Sequence, residues 1–589
     1  MHDRWLCSSL LFLLMASWMP VAEAQPPTTA AASDQVTLYF GGDILTMRGS
    51  VPEYVDSLAV KDGKILFAGK LSEAEKLVNT SRRVDLEGKT LLPGFIDTHG
   101  HFVYYGKNLV DANLFGCGDI ADLVARMKKQ VTRTPAEGWI VGFGYQARSM
   151  KEGRPPTGEE LDLISADRPV MVVDSSGHLG AANAAAFRAA GISAETPDPI
   201  GGMFARQADG KSLLGPMEET ALNMVRSKRP PFTGELAARA ITGAAEVWAS
   251  YGQTTAMEAG LGLGNDDIGI VLNAIDRNLL AIDLYVAAKD SALDATLAAA
   301  YSVASQYDPQ ASGVVEKLRS ARPDLDDRYV NRVRLGGVKF WLDGSLDTAW
   351  FTQPYTQNPA GKTGAFAGYR QIPDEVLDAV FDKYWPTELQ IHMHMNGDAA
   401  ADQALAAIDK AVKKHGMRDH RPVFVHASWL RLDQIQRMKD CGAIPSFLTG
   451  GITTGGDAVV RLWGPTRSAG AMASRTFLRS GLPFTYSHDA PVSPVPSILA
   501  LVDAGVNRLS GSGQLIGPDE RISPYDALRA VTATAAYQLK EEKTKGTLEV
   551  GKLADLVILE RNPLKVEPTT IKDIAVVETI KEGRTVFSR

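Results

Sequence analysis

At 589 residues the chain exceeds one simple domain, and its 45% hydrophobic and 22% charged residues are the ordinary balance of a soluble globular protein with a sizeable core. A formal net charge of -7, spread without long runs, excludes the basic footprint of a nucleic-acid binder. Three cysteines are too few for a disulfide framework.

The N-terminus departs from this balance. His2, Asp3 and Arg4 lead into an apolar run from Trp5 to Trp18 that ends in Val21-Ala-Glu-Ala24. Charge, length and small-residue spacing match a secretory signal over 1–24, cleaved before Gln25. A membrane anchor needs about 20 apolar residues, more than this run supplies. The sequence therefore predicts export to a periplasm or the outside, with no membrane partner after cleavage. Residues 25–34, rich in Ala, Thr and Pro, read as a disordered lead-in. Cleavage also removes Cys7, leaving Cys117 beyond a strand end and Cys441 at the start of another.

From Val36 to about Gly88 the pattern is strand and turn, with Ser57 to Val60 and Lys64 to Ala68 joined through Asp62-Gly63. The far C-terminus repeats it in Asp555 to Leu559, Val576 to Lys581 and Arg584 to Phe587. Neither end alone holds enough strands for a stable sheet, so 35–90 and 541–589 are predicted to build one small β-domain, a β-sandwich.

Between them, apolar strands alternate with helices, the pattern of an α/β fold and here of a (β/α)8 TIM-like barrel over 91–540. Its strands are placed at Gly94 to His99, Thr254 to Glu258, Ile282 to Ala287, Arg334 to Asp343, Leu389 to His394, Pro422 to His426, Gly442 to Phe447 and Pro483 to Asp489. The long gap after the first strand makes 108–242 a large insertion, with strands at Trp139 to Gly142 and Pro169 to Val173. Lying among the loops that carry catalysis, it is a candidate lid. Pro524 to Gln538 reads as a scaffold helix.

The chemistry-bearing residues collect at strand ends. In strand one, Asp97, His99 and His101 stand at alternate positions, which an extended strand would point toward one face. Strand five carries His392 and His394, strand six His426, and strand eight His488 next to Asp489. Alternation turns one of that last pair away from the centre, and His392 can support His394. Six of ten histidines at strand ends point to a metal site rather than to core packing. Strand four carries Lys339, with Trp341 and Asp343 on its face. A lysine inside a barrel is costly as an ammonium ion, which leaves three roles: a Schiff-base nucleophile, a carboxylated bridging ligand, or a partner of Asp343 or another acid.

At this point the residues resemble the amidohydrolase superfamily over nearly all of the mature chain, with His-x-His on strand one, lysine on strand four, histidines on strands five and six and aspartate on strand eight. Several stretches are similar to its amidohydrolase-3 branch, that of the N-substituted formamide deformylases: Ser176-Gly-His178, Gly201-Gly-Met-Phe-Ala-Arg206, Asp343-Gly-Ser-Leu346, His394-Met-Asn-Gly-Asp398, Asp489-Ala-Pro491 and Gly551-Lys-Leu-Ala-Asp-Leu-Val557. The resemblance implies that His99, His101 and Asp489 hold one divalent metal and His394 and His426 a second, bridged by a carbamate on Lys339. It also makes His178 and Glu219 substrate or site-shaping residues, and Arg206 and Asp343 join them as substrate-binding candidates.

A divalent ion with imidazole and carboxylate ligands lowers the pKa of water and polarises a carbonyl, so the expected activity is hydrolysis of a carbon-nitrogen bond in a small, partly apolar amide or formamide. Asp489 is the expected proton carrier, with His178 or the second-site histidines at the oxyanion. Zinc suits the nitrogen-rich set, with manganese or iron as alternatives. The same site would serve cyclic amides, esters or lactones. A non-catalytic metal-binding sensor is the rival from another class, and a Schiff-base enzyme conflicts with the histidines around Lys339. The expected partner is a small-molecule substrate; a homo-oligomer is compatible with the sequence.

Overall fold

The computed structural model describes residues 35–589 apart from 78–80, 148–149, 176, 178, 200–201, 265, 291, 293–328 and 360–361. The predicted signal and lead-in therefore lie outside the described residues. Among the described residues no helix is long and apolar enough to cross a membrane.

Eight parallel strands form the central sheet: Phe95–Ile96, Gln253–Leu261, Asp283–Lys289, Val333–Trp341, Gln390–Met395, Val423–His426, Ile444–Phe447 and Thr485–Tyr486, adjacent in that order. Beyond the first and last of these, the Asp489 amide donates to the His99 carbonyl at 2.9 Å and the His101 amide to the Ala490 carbonyl at 2.8 Å. Those bonds bring the two ends of the sheet together where the histidines lie, at the mouth of a TIM-like barrel. Apolar residues facing the surrounding helices join one large core. The helices Phe102–Val110 and Gly234–Ser250 pack so closely that a Cβ on Gly106 would lie 2.2 Å from the Ala240 carbonyl oxygen. Glycine and alanine are what such an approach requires.

The two termini share one hydrogen-bonded sheet. Its path runs from Arg584–Ser588 through Val576–Lys581, Leu556–Leu559, Thr90–Pro93, Val36–Leu45 and Tyr54–Lys61 to Lys64–Gly69, with Ser81–Asp85 also pairing with Val36–Leu45. The segment after the first barrel strand builds a separate six-stranded sheet from Ala112–Asn113, Ile140–Tyr145, Val170–Asp174, Leu179–Ala182, Gly202–Arg206 and Leu213–Glu219. It has its own apolar core on each face.

Three sequence expectations change. The boundary drawn at 242 falls inside the helix Gly234–Ser250, which runs through Thr242 and Gly243. The single helix over Pro524 to Gln538 is two, Pro524–Ala530 and Ala533–Gln538. Thr532 leaves helical backbone at φ -131°, and the freed Val531 carbonyl accepts the Ile96 amide at 3.0 Å. Cys441 ends the helix Leu432–Cys441 instead of starting a strand, and both Cys441 and Cys117 are buried free thiols.

Candidate metal centre

Strand one contributes only Phe95–Ile96 as regular strand, so alternation does not carry on to His101. Asp97 folds back instead. Its Oδ1 accepts the His99 amide at 3.0 Å, and its Oδ2 accepts Trp248 Nε1 at 3.1 Å and the Met257 amide at 3.3 Å. The turn leaves no room at Gly100, where a Cβ would lie 2.6 Å from Asp97 Oδ2 and 2.9 Å from His488 Cε1. Asp97 thus braces the turn, and the two histidines beyond it reach the centre.

There His99 Nε2 lies 3.4 Å from Asp489 Oδ1 and 3.4 Å from Lys339 Nζ, and His101 Nε2 lies 3.2 Å from the same oxygen. His426 Nε2 approaches Asp489 Oδ2 at 3.8 Å. Ligand atoms of His99, His426 and Asp489 all fall within 4.8 Å of one another, and all three residues are buried. His394 stands beside this group, its ring edge-to-face with His426 at 4.7 Å and its Nδ1 3.2 Å from Asp343 Oδ1. The tightest group therefore draws on both ligand sets that the resemblance implied.

Backbone geometry at two of these residues is unusual. His426 has φ 68° and Asp489 φ 54°, left-handed values that cost a non-glycine residue about 1–3 kcal/mol and recur where function requires them. At Asp489 the twist sends neighbouring side chains opposite ways. His488 Nδ1 accepts the Ala490 amide at 3.0 Å, while its Nε2 faces Gln253 Oε1 at 3.3 Å and Asp97 Oδ2 at 3.4 Å, away from the centre.

The charges follow from burial. Burial, joined by the Lys339 ammonium, holds His99 well below the ordinary imidazole range, and burial does the same to His426. At His101 burial also works against the charged form, but Asp489 and Glu258 outweigh it and its pKa is raised. Asp489 would be raised by burial, yet His101 and His99 hold it well below the usual carboxylate range. Burial brings the Lys339 amine down to about 7, with Asp489 opposing. These conditions fit a cation. Asp489 Oδ1 is buried and, although two imidazoles stand within ion-pair distance, neither is aligned as a hydrogen bond to it. A buried carboxylate converging with the imidazoles of His99 and His426, which burial keeps from charging, supplies the donors that a borderline divalent ion takes.

Other predicted residues have different surroundings. Asp343 is fully buried, and its carboxylate accepts the amides of Asn396 at 2.9 Å, Gly397 at 2.9 Å and Trp350 at 3.0 Å. It thereby fixes the loop beyond strand five and His394, and it is unavailable both to substrate and as a counter-ion for Lys339. The Arg206 guanidinium donates to the carbonyls of Ala194, Phe204 and Thr196 and to Asp198 Oδ1, clasping a loop of the insertion rather than offering itself to a ligand. Glu219 ends the strand Leu213–Glu219, and His178 lies outside the described residues. His392 is buried deeper on strand five, with neither ring nitrogen hydrogen-bonded.

Glu258 is a residue of the site that carried no expected role. It ends the predicted second strand, is buried, accepts the Val103 amide at 2.7 Å through Oε2, and sets Oε1 4.0 Å from His101 Nδ1. Burial pushes its carboxyl up to about 7, against the pull of His101. A lone carboxylate in an apolar strand was the available signal.

The family described as the Amidohydrolase family matches residues 82–587. Among curated proteins, the Bacillus subtilis protein YtcJ, which carries the name of an amidohydrolase, is 24% identical over 94% of this chain and 99% of its own length. The N-substituted formamide deformylase of Arthrobacter pascens is 24% identical over 90% of this chain and 95% of its own. A solved metal-dependent hydrolase from Pyrococcus furiosus superposes with a TM-score of 0.70 at 26% identity, covering 90% of this chain and all of that one.

Proposed function

The chain belongs to the amidohydrolase family, and on that premise we propose that it is an exported enzyme hydrolysing a carbon-nitrogen bond in a small, partly apolar amide or formamide. The observation that carries this reading is the buried convergence of His99, His101 and His426 on Asp489, whose Oδ1 has no aligned hydrogen-bond donor. The formamide deformylase among the relatives supports the substrate class.

We assign His99, His101 and Asp489 to one divalent ion and His394 and His426 to a second, zinc in both cases, with manganese and iron as alternatives. A bound ion supplies Lewis acidity toward water and toward the substrate carbonyl. Lys339 joins as a carbamate. Its buried amine, with a pKa near 7, is substantially neutral at physiological pH, adds through Nζ to carbon dioxide, and loses a proton to leave a stable anion. Asp489, a carboxylate at neutral pH, accepts a proton from the attacking water through Oδ1 and delivers it to the leaving nitrogen. His178 and Glu219 are the insertion's contribution to substrate binding.

The test is a screen of amides, formamides, cyclic imides and esters against metal-loaded protein, with metal content measured alongside. Close to two divalent ions per chain are expected, falling in Lys339→Ala. Asp489→Asn should fold and turn over roughly 10²–10⁴-fold more slowly. Near-normal turnover in that variant overturns the proton role, and hydrolysis of esters alone moves the reading to that bond.

A further inference from the structure

We propose that Lys289 is a specificity-determining residue, selecting amide substrates that carry an anionic group, a carboxylate, on the part of the molecule that lies at the barrel mouth. The inference rests on the amidohydrolase reading above and narrows its substrate class.

Lys289 is the last residue of the third barrel strand, at the end where the histidines cluster. Two observations set its direction. In the parallel ladder to strand four its Cα partner is Lys339, and partners in adjacent strands project from the same face of a sheet. Lys339 projects inward to His99. The next residue, Asp290, goes the other way, bonding Lys383 Nζ and Tyr384 Oη on the outer helix Asp374–Tyr384. Lys289 therefore faces the barrel mouth, one strand away from the lysine at the metal centre.

It does so without a counter-ion among the described residues. Lys289 is half-buried, and its side chain makes no hydrogen bond or ion pair with any described residue. Lys107, Lys545 and Lys581 are by contrast partnered: Lys107 meets Asp266 and Asp267, Lys545 meets Asp283 and Glu541, and Lys581 meets Asp283 and Asp555. Asp290, the nearest carboxylate in sequence, is engaged outside the barrel. A partly desolvated ammonium at a ligand entrance gains from an anion that the ligand brings. Farther along the same face of strand four stands Trp341, whose ring approaches the exposed Leu263 across Gly260. Together these set an apolar wall beside the Lys289 ammonium at the mouth, matching an apolar amide with a carboxylate rather than a neutral one.

The probes are 4-formamidobenzoate and 4-formamidobenzamide, alike in shape and different in charge. Wild-type enzyme is expected to favour the acid by about tenfold in kcat/KM, the range of one charge-assisted hydrogen bond. In Lys289→Gln the acid-to-amide ratio should fall to about one, mainly through KM for the acid, and Lys289→Arg should restore part of it. Calorimetry with 4-acetamidobenzoate supplies a readout independent of turnover: binding should weaken about tenfold in Lys289→Gln. No preference for the acid in wild type, or equal loss on both probes as expected if Lys289 merely steadies the metal centre, overturns the proposal. If neither probe is turned over, calorimetry decides it: carboxylate binding that depends on Lys289 upholds it, and its absence overturns it. Failure of the amidohydrolase reading would show separately, as no turnover across the amide screen.

Discussion

His101 is held from two sides, by Asp489 Oδ1 3.2 Å from Nε2 and by Glu258 Oε1 4.0 Å from Nδ1. A metal-binding imidazole whose far nitrogen faces a carboxylate keeps its ring orientation and basicity, and loss of such a partner costs about 10–100-fold in metal affinity. Glu258→Gln is expected to weaken metal binding by that factor in competition with a chromophoric chelator while keeping its circular dichroism; affinity within twofold of wild type would remove the role. Lys339 gives a pH signature. Its folded pKa of about 7 lies below the free-lysine value, so the unfolded chain binds more protons between pH 7 and about 10.4. The penalty for burying it is complete below pH 7 and is relieved as pH rises through that window. In metal-free protein at fixed dissolved carbon dioxide, uptake of ¹³C-carbamate should rise from pH 6 to pH 8, and a flat profile would count against carboxylation. The histidine pairs were legible because a spacing of two is written in the sequence. Glu258 was not, because its meaning depends on Val103 and His101, which only the fold brings to it; nor were the occupied carboxylate of Asp343 and guanidinium of Arg206, whose partners are mostly backbone groups.

At the scale of elements, all eight barrel strands overlap segments that apolar runs had marked, since strands buried on both faces announce themselves by composition. Turns were harder to read. The stretch from Asp97 to His101 looked like continuing strand, and its actual shape comes from the Asp97 carboxylate capturing the His99 amide and Trp248 Nε1. Gly100 is the residue that permits this. Gly100→Ala should force Asp97 or His488 to shift, at a cost of about 1–3 kcal/mol for overpacking, and should displace His99 and His101 with them. Denaturant unfolding of the metal-free variant measures the first effect and metal titration the second. Unchanged stability together with unchanged metal affinity would mean that the turn tolerates a methyl group.

Across the whole molecule, the end of the barrel opposite the histidines is tied to the terminal sheet by buried charges. Asp283, at the start of the third barrel strand, receives Lys581 Nζ from the terminal sheet and Lys545 Nζ, each at 2.6 Å. Lys581 also meets Asp555 at 2.8 Å, and Glu541 bonds Arg334 at 2.6 Å and Lys545 at 2.7 Å. Burial would raise Asp283 and Glu541, but the lysines and arginines hold both below the ordinary carboxylate range; those carboxylates in turn keep Lys545 and Lys581 above the usual lysine value. The carboxylate contribution is present above about pH 4 and lost as pH falls through the folded values, and the lysine contribution is lost only well above about pH 10.4. The ties therefore act between those limits. Lys581→Met would leave Asp283 short of one cation and Asp555 without its own, and breaking a buried pair from one side costs about 3–5 kcal/mol. Because Lys581 lies in the terminal sheet and the metal ligands at the far mouth, denaturant unfolding should show that loss at pH 7 while metal stoichiometry stays at the wild-type value. The difference between variant and wild type should shrink as pH is lowered below 4, where protonated carboxylates no longer need the lysine. A loss under about 1 kcal/mol at pH 7, or one independent of pH, would mean that apolar packing alone joins the two units.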